Sequence, residues 1–319
     1  MMTPIPYASI HPSKKREVQV ILRYTLIMKL YILGNGFDLA HKLKTSYDAY
    51  RSFIKDNLKN HPDWHIILDY YPENHKFWCD AEKHVCAIDY KNFVNLKKIW
   101  NMTFLDDLLS KIHQSFELFI LSAESEISKK QPIFELDTKS IFMTFNYTSV
   151  LENLYKVDKK DVMHLHNKAE DAAMKQYFGI AANDCILGHS TRPNEYVFYA
   201  DSIVGEDHDY MVFMRKTRKD TEKVIKENNL MFKLTMLQAQ NLISEVVIFG
   251  FSFSPADKEY INFVQMFLEP SKIRYKAYYH VEQGETEEGA KNRIINNMIA
   301  SACNPYDFEL INSDNIKKL

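Results

Sequence analysis

Leu30-Tyr31-Ile32-Leu33-Gly34-Asn35-Gly36-Phe37-Asp38 is the stretch on which the fold turns. Four apolar residues stop at a pair of glycines, the pattern of a buried strand that bends directly into the next element. The pattern returns along the chain. Ser140–Asn146, Val162–Leu165 and Cys185–Leu187 are short apolar runs, and Glu245–Phe249 (EVVIF) closes on Gly250. Ile273–Val281 and Asp307–Ile311 complete the set.

Between these runs the apolar spacing changes to three and four. Thr45-Ser46 offers an N-cap to a helix carrying Tyr47, Tyr50, Phe53, Ile54 and Leu58. Phe93–Lys130 reads as a long helix or a helix pair that Pro132 ends. Val150, Leu151, Leu154 and Tyr155 share a further helix, Tyr210–Glu245 holds one or two, and Glu285–Ala300 another. Strands alternating with helices predict an α/β fold, with a mainly parallel sheet and helices on both faces. No repeat or linker divides residues 28–319, so they read as one domain with a helical insertion at about 57–132. Trp64, Trp78, Phe77 and Tyr70-Tyr71 are expected to form that insertion's own small core. Residues 1–27 are polar or basic at first, then apolar but interrupted by Gln19 and Arg23. They read as an extension, with Met28 as the expected start.

Composition narrows the function. The 319 residues include eight glycines, where about 7% is usual, which excludes collagen-like and low-complexity architectures. A net charge of −2 gives no overall argument for nucleic acid as a partner. Met211–Lys226 is locally basic through Arg215, Lys216, Arg218, Lys219, Lys223 and Lys226. A solvated helix face is the better reading, a phosphate-contacting face the other. Cys79, Cys86, Cys185 and Cys303 contain no CxxC pair and read as reduced thiols of a cytoplasmic protein. His61, His65, His75 and His84 are spaced irregularly, so no metal is expected. No run is long and uncharged enough to span a bilayer.

The chemistry is expected at the strand ends, where open α/β sheets bind ligands. Gly34-Asn35-Gly36-Phe37-Asp38 is either a tight strand-to-helix turn or a loop that lets backbone approach a phosphate. In Thr144-Phe145-Asn146-Tyr147-Thr148, Asn146 either fixes a ribose hydroxyl or water, or merely caps a helix. In His164-Leu165-His166-Asn167, strand alternation puts both histidines on one face, as general-base candidates or as structural residues. Gly250 through Asp257 offers Gly250 for close approach, Ser252 as a donor and Asp257 at a helix start. Leu187-Gly188-His189-Ser190 is a fifth candidate of the same kind.

Together these segments resemble the AbiH family of phage abortive-infection proteins. The hallmark GNGFDLAHxLxTSY is matched by Gly34–His41 with Thr45-Ser46-Tyr47. The later FNYT…LE…Y is matched by Phe145–Thr148, Leu151-Glu152 and Tyr155. Counterparts of the family's H-[LI]-H-G, LGH and GxSxxxxD segments follow in order at His164–Asn167, Leu187–His189 and Gly250–Asp257. The resemblance spans roughly residues 28–282. The family is in turn similar to sirtuin-like domains of antiphage systems, which have a Rossmann-like nucleotide-binding fold and in several cases hydrolyse NAD.

The resemblance therefore implies a cytoplasmic antiphage effector that binds NAD or a related nucleotide and hydrolyses its nicotinamide–ribose bond. Asn146 and His166 are the implied catalytic pair. Gly34, Asn35, Gly36, Phe37, Asp38, Thr144, His164, Gly188, His189, Gly250, Ser252 and Asp257 are the implied ligand contacts, with Gly34 and Gly36 facing the pyrophosphate. Two positions depart from the sirtuin-like pattern: Thr148 stands in place of Asp, and Asn167 in place of the glycine after the histidine. The alternatives are a nucleotide sensor without turnover and, less favoured, a toxin acting on nucleic acid through the basic stretch. The expected partner is a small-molecule nucleotide, with the phage trigger and self-association open and no membrane involved.

Overall fold

The computed structural model describes residues 28–79, 81, 94–95, 101–169, 242–253, 257–268, 273–282, 284–300 and 307–313. The expected strand at Cys185–Leu187, the basic stretch, residues 1–27 and the Gly188-His189 candidate lie outside the described residues.

Six strands form one sheet: β1 (Met28–Leu33), β2 (Ile141–Thr144), β3 (Val162–His164), β4 (Ile243–Phe249), β5 (Arg274–Tyr279) and β6 (Asp307–Asn312). Their order is β3-β2-β1-β4-β5-β6, and every neighbouring pair is parallel. This is the Rossmann-like arrangement that the resemblance implied, with the chain reversing its direction of travel across the sheet between β1 and β4. The described helices are α1 (Asn35–Ala40), α2 (Tyr47–Asn57), α3 (His65–Tyr70), α4 (Met102–Glu124), α5 (Val150–Asn153), α6 (Lys258–Phe267) and α7 (Glu287–Ala300).

Alternation along the strands feeds two cores. Leu30, Ile32, Met143, Val246, Ile248 and Ala277 pack with Tyr260 and Val264 of α6 and Ala290 and Ile294 of α7. Tyr31, Leu33, Phe142, Val247 and Phe249 face the opposite way, onto Phe37 of α1, Leu43, Phe134 and Val150 of α5. Helices thus lie on both faces, as a parallel sheet requires. A third cluster joins Tyr50 and Ile54 of α2 with Trp64, Tyr71, Phe77, Trp78 and Leu105, Ile112, Phe116 and Phe119 of α4. Tyr50 fastens it, its hydroxyl lying 2.6 Å from Ser115 Oγ and donating to the Ile112 carbonyl at 3.1 Å.

Two helices end earlier than the apolar spacing predicts. Within the expected 93–130 stretch, Asn101 caps α4 by accepting from the Phe104 N–H at 2.9 Å, and α4 ends at Glu124 before a short turn at Ile127–Lys129. The helix expected through Tyr155 stops at Asn153. Tyr155 is needed elsewhere: its hydroxyl accepts from the Ile133 and Phe134 N–H groups at 3.2 and 3.3 Å and meets His41 Nε2 at 2.7 Å. The backbone then turns at Lys156, φ +59°. Lys42 does the same after α1, at φ +58°, with Leu43 N–H donating to the Asp38 carbonyl and Lys42 N–H to that of Leu39. That is a helix-ending motif in which glycine is usual; a lysine there costs roughly 1 kcal/mol. A chain short of glycine turns on lysine instead.

Candidate functional site

The strand register lines up the chemistry. Leu33 pairs with Thr144 on one side and Phe249 on the other, Thr144 with His164, and Phe249 with Tyr278. Whatever follows these residues leaves the sheet along one edge, and the point where the chain order reverses lies between β1 and β4.

Three glycines meet at that point. Gly34 N–H donates to the Phe249 carbonyl at 3.0 Å, and Gly36 N–H to the Gly250 carbonyl at 2.9 Å. A Cβ on Gly34 would lie 2.5 Å from Gly250 O, and one on Gly36 2.6 Å from Gly250 Cα. One on Gly250, which has φ +63°, would lie 2.3 Å from Phe37 N. These residues are glycine because two backbones touch. The N–H groups of Gly34 and Gly36 and the missing side chains of all three are used in that contact.

A cavity of about 490 Å³ opens against this junction, within the usual range for small-molecule sites. Gly34, Asn35, Gly36, Asp38 and Leu39 line it after β1, Phe145, Asn146 and Tyr147 after β2, and His166 after β3. Gly250, Phe251, Ser252 and Asp257 follow from β4, and Tyr278, Tyr279, His280 and Glu282 from β5. Thr45, Ser46, Tyr47, Cys79 and the α4 residues Phe116 and Ile120 close one side, Arg293 and Ile294 of α7 the other.

Its buried polar centre is Asp38, only 1% exposed. Asn146 Nδ2 donates to Asp38 Oδ1 at 2.9 Å, and Thr148 Oγ1 to Asp38 Oδ2 at 2.7 Å. Burial pushes the Asp38 carboxyl up to about 7, against the two donors, which favour its charged form; Glu124 nearby adds to the rise. Thr148 thus meets a carboxyl supplied by α1. Thr144 Oγ1 accepts from the Asn146 N–H at 3.1 Å and fixes the turn. Asn146 Oδ1 is buried and finds no hydrogen-bond partner among the described residues. Asn35 is tied to the Thr45-Ser46-Tyr47 segment, donating from Nδ2 to the Thr45 carbonyl at 3.0 Å and accepting from Thr45 Oγ1 at 2.6 Å.

The two histidines part company. Strand β3 ends at His164, and the chain turns through Leu165 and His166 to Asn167, φ +60°. Strand alternation does not extend beyond the strand, so the expected common face is not formed. His166 Nε2 lies 3.3 Å from Asp257 Oδ1, both side chains buried, with the ring edge-on to Phe145 at 5.3 Å between centroids. His164 turns behind the cavity: Nε2 lies 3.0 Å from Glu152 Oε1 and Nδ1 3.2 Å from the Asn146 carbonyl. Lys168 Nζ donates to the same Glu152 oxygen at 3.2 Å. Burial opposes the charge on Glu152, but His164 and Lys168 outweigh it and hold its carboxyl down at about 2.

Of the residues expected to form the site, Gly34, Asn35, Gly36, Asp38, Asn146, His166, Gly250, Ser252 and Asp257 meet at one cavity. Phe37 lies in the core, between His41, Phe134, Tyr155 and Phe249, and Thr144 and His164 support the wall from behind. The sequence reading missed Tyr147, Cys79, Tyr279 and Arg293. Arg293 forks onto Glu285 at 3.0 and 2.9 Å and donates to the His280 carbonyl at 2.9 Å. Its pairing with the 280s turn has no local sequence signal. Among the described residues no cluster of His, Cys, Asp or Glu is arranged to hold a metal, and no helix is long and apolar enough to cross a membrane.

A search of curated proteins finds no match to this chain. The family described as bacteriophage abortive infection AbiH matches residues 30–107 and 96–279, a span that holds every strand end from β1 to β5. By that match, over most of its length, the chain belongs to the AbiH family.

Proposed function

We propose that this protein serves abortive infection by binding NAD or a related nucleotide in the switch-point cavity and hydrolysing its nicotinamide–ribose bond. One observation carries the reading: Asn146 holds Asp38 with its nitrogen while its buried oxygen, on the wall of the same cavity as His166, awaits a donor. A ribose hydroxyl or a water is the group that answers such an acceptor.

In the proposed reaction the C1′–N bond breaks and its electron pair leaves with nicotinamide, which becomes neutral. The ribose takes on oxocarbenium character, which the carboxylate of Asp38 stabilises. Asp257 accepts from His166 Nε2–H, which keeps the basic lone pair on Nδ1. His166 takes the proton of the water as its oxygen bonds to C1′. Phe145, Tyr147 and Phe251 supply an apolar wall that limits bulk water. Loss of NAD then arrests the infected cell.

The test is release of nicotinamide by purified protein supplied with NAD, with and without phage lysate, compared with His166→Ala. Equal background rates from both proteins overturn hydrolysis. Both Asp38 oxygens are already held by internal donors, as in a recognition site, and this favours nucleotide sensing as the second reading. Calorimetric binding of NAD with no product identifies that case.

A further inference from the structure

Thr148 does not line the cavity, yet it touches the group that does. Asp38 and Thr148 stand 110 positions apart in sequence and come together with 3% or less of either residue exposed. Thr148 Oγ1 donates to Asp38 Oδ2 at 2.7 Å, while Asn146 Nδ2 covers the other oxygen at 2.9 Å. Both partners are neutral donors, so the carboxyl has orientation without charge compensation. The charged groups around it do not supply any. Glu124, at the end of α4, is itself an acid, accepting from the Ser149 N–H at 2.9 Å and from the Ser149 hydroxyl. Across the cavity wall His166 is matched to Asp257. His41, the residue that follows α1, is turned to the Phe37 carbonyl and the Tyr155 hydroxyl, both at 2.7 Å.

We propose that Thr148 is a positioning residue which, through its hydrogen bond, holds Asp38 as a cavity-facing anion that favours a ligand positively charged at its glycosidic end. The ligand half of this rests on the nucleotide reading above; the positioning half does not. A hydroxyl donor lowers the cost of the charged carboxylate, and with burial lifting Asp38 to about 7, this bond, together with that of Asn146, sets how much of the anion exists near neutrality. Removing a donor to a charged group raises such a carboxyl by about one to two pH units. Serine keeps the donor; valine keeps the shape and loses it.

The experiment follows the Asp38 carboxyl by ¹³C NMR in ligand-free wild type, Thr148→Val and Thr148→Ser, with Asp38→Asn to identify the signal. Calorimetry on the same proteins compares oxidised with reduced nicotinamide dinucleotide between about pH 6 and about pH 8.5. The midpoint is expected near 7 in wild type and in Thr148→Ser, and about one to two pH units higher in Thr148→Val. Preference for the oxidised, cationic form is expected to grow several-fold with pH in the first two proteins and to flatten in the third. An unmoved midpoint in Thr148→Val overturns the positioning role. A moved midpoint with neither dinucleotide bound upholds it and overturns the ligand assignment. If Thr148→Val does not fold, Thr148→Cys, a weaker donor, takes its place in the same comparison.

Discussion

Asp38 and Glu152 are two buried carboxyls that lean on the same residue from opposite sides. Asn146 donates to Asp38 from its side chain and presents its backbone carbonyl to His164, the partner of Glu152. Glu152 is answered by Lys168 and His164 and stays charged; Asp38 is answered by an amide and a hydroxyl and sits near its titration point. An acid that is paired with a buried lysine fixes structure. An acid held by neutral donors on a cavity wall remains sensitive to what enters, which is the state a binding or reacting group needs.

The sharpest way to break this contrast is to remove the charge from each acid in turn. Glu152→Gln leaves Lys168 and His164 sharing no anion, and is expected to lower stability by about 3–5 kcal/mol in urea unfolding at neutral pH. Asp38→Asn is expected to act in the other direction. The folded state keeps the Asp38 proton up to about 7, whereas the unfolded chain releases it near 3.8. Wild-type stability from this group is therefore full below pH about 4 and falls as pH rises toward 7. Asparagine removes that loss: unfolding at pH about 8 should show a gain on the order of 2–4 kcal/mol, and unfolding at pH about 4 almost none. On the nucleotide reading proposed above, binding should weaken in the same variant, a stability gain at the expense of that function.

A smaller effect separates the acids by pH alone. Glu152 contributes stability above its ordinary 4.5, and that contribution disappears as pH falls toward 2. The acid limb of a wild-type stability profile should lose about 2 kcal/mol that Glu152→Gln does not lose. The smallest expected effect is that of His164→Gln, about 1 kcal/mol in the same unfolding assay, since Lys168 still meets Glu152. If His164→Gln costs as much as Glu152→Gln, Lys168 is not the main partner of Glu152.

The sheet was legible because a strand buried on both faces leaves an uninterrupted apolar run, as LYIL and EVVIF do, and because glycine marks where such strands end. Gly34, Gly36, Asn146, His166 and Gly250 could be gathered into one crevice on that basis alone. What was not legible depends on pairing across the chain. Nothing near Asp38 announces Thr148, and nothing in the helical spacing of α7 announces that Arg293 reaches back to Glu285 and the His280 carbonyl, because hydrogen bonds from a helix to a turn impose no local period. The common face expected for His164 and His166 failed for a different reason: alternation is a property of the strand, and β3 ends between them. Helix α5 was overrun because Leu154 and Tyr155 continue its apolar spacing while the Tyr155 hydroxyl is committed to the 133–134 backbone.

The glycine junction also bears on how such a chain can change. Gly34, Gly36 and Gly250 face one another, so a side chain at any one of them presses on the main chain of another loop, which no rotamer can move aside. Replacing a second glycine cannot relieve the first; it adds another clash to the same contact. The three positions therefore behave as a single heritable unit, closed to stepwise substitution. Change in the shape or polarity of the crevice is open to the side chains that line it from the other loops and from α4 and α7, around a centre that stays fixed.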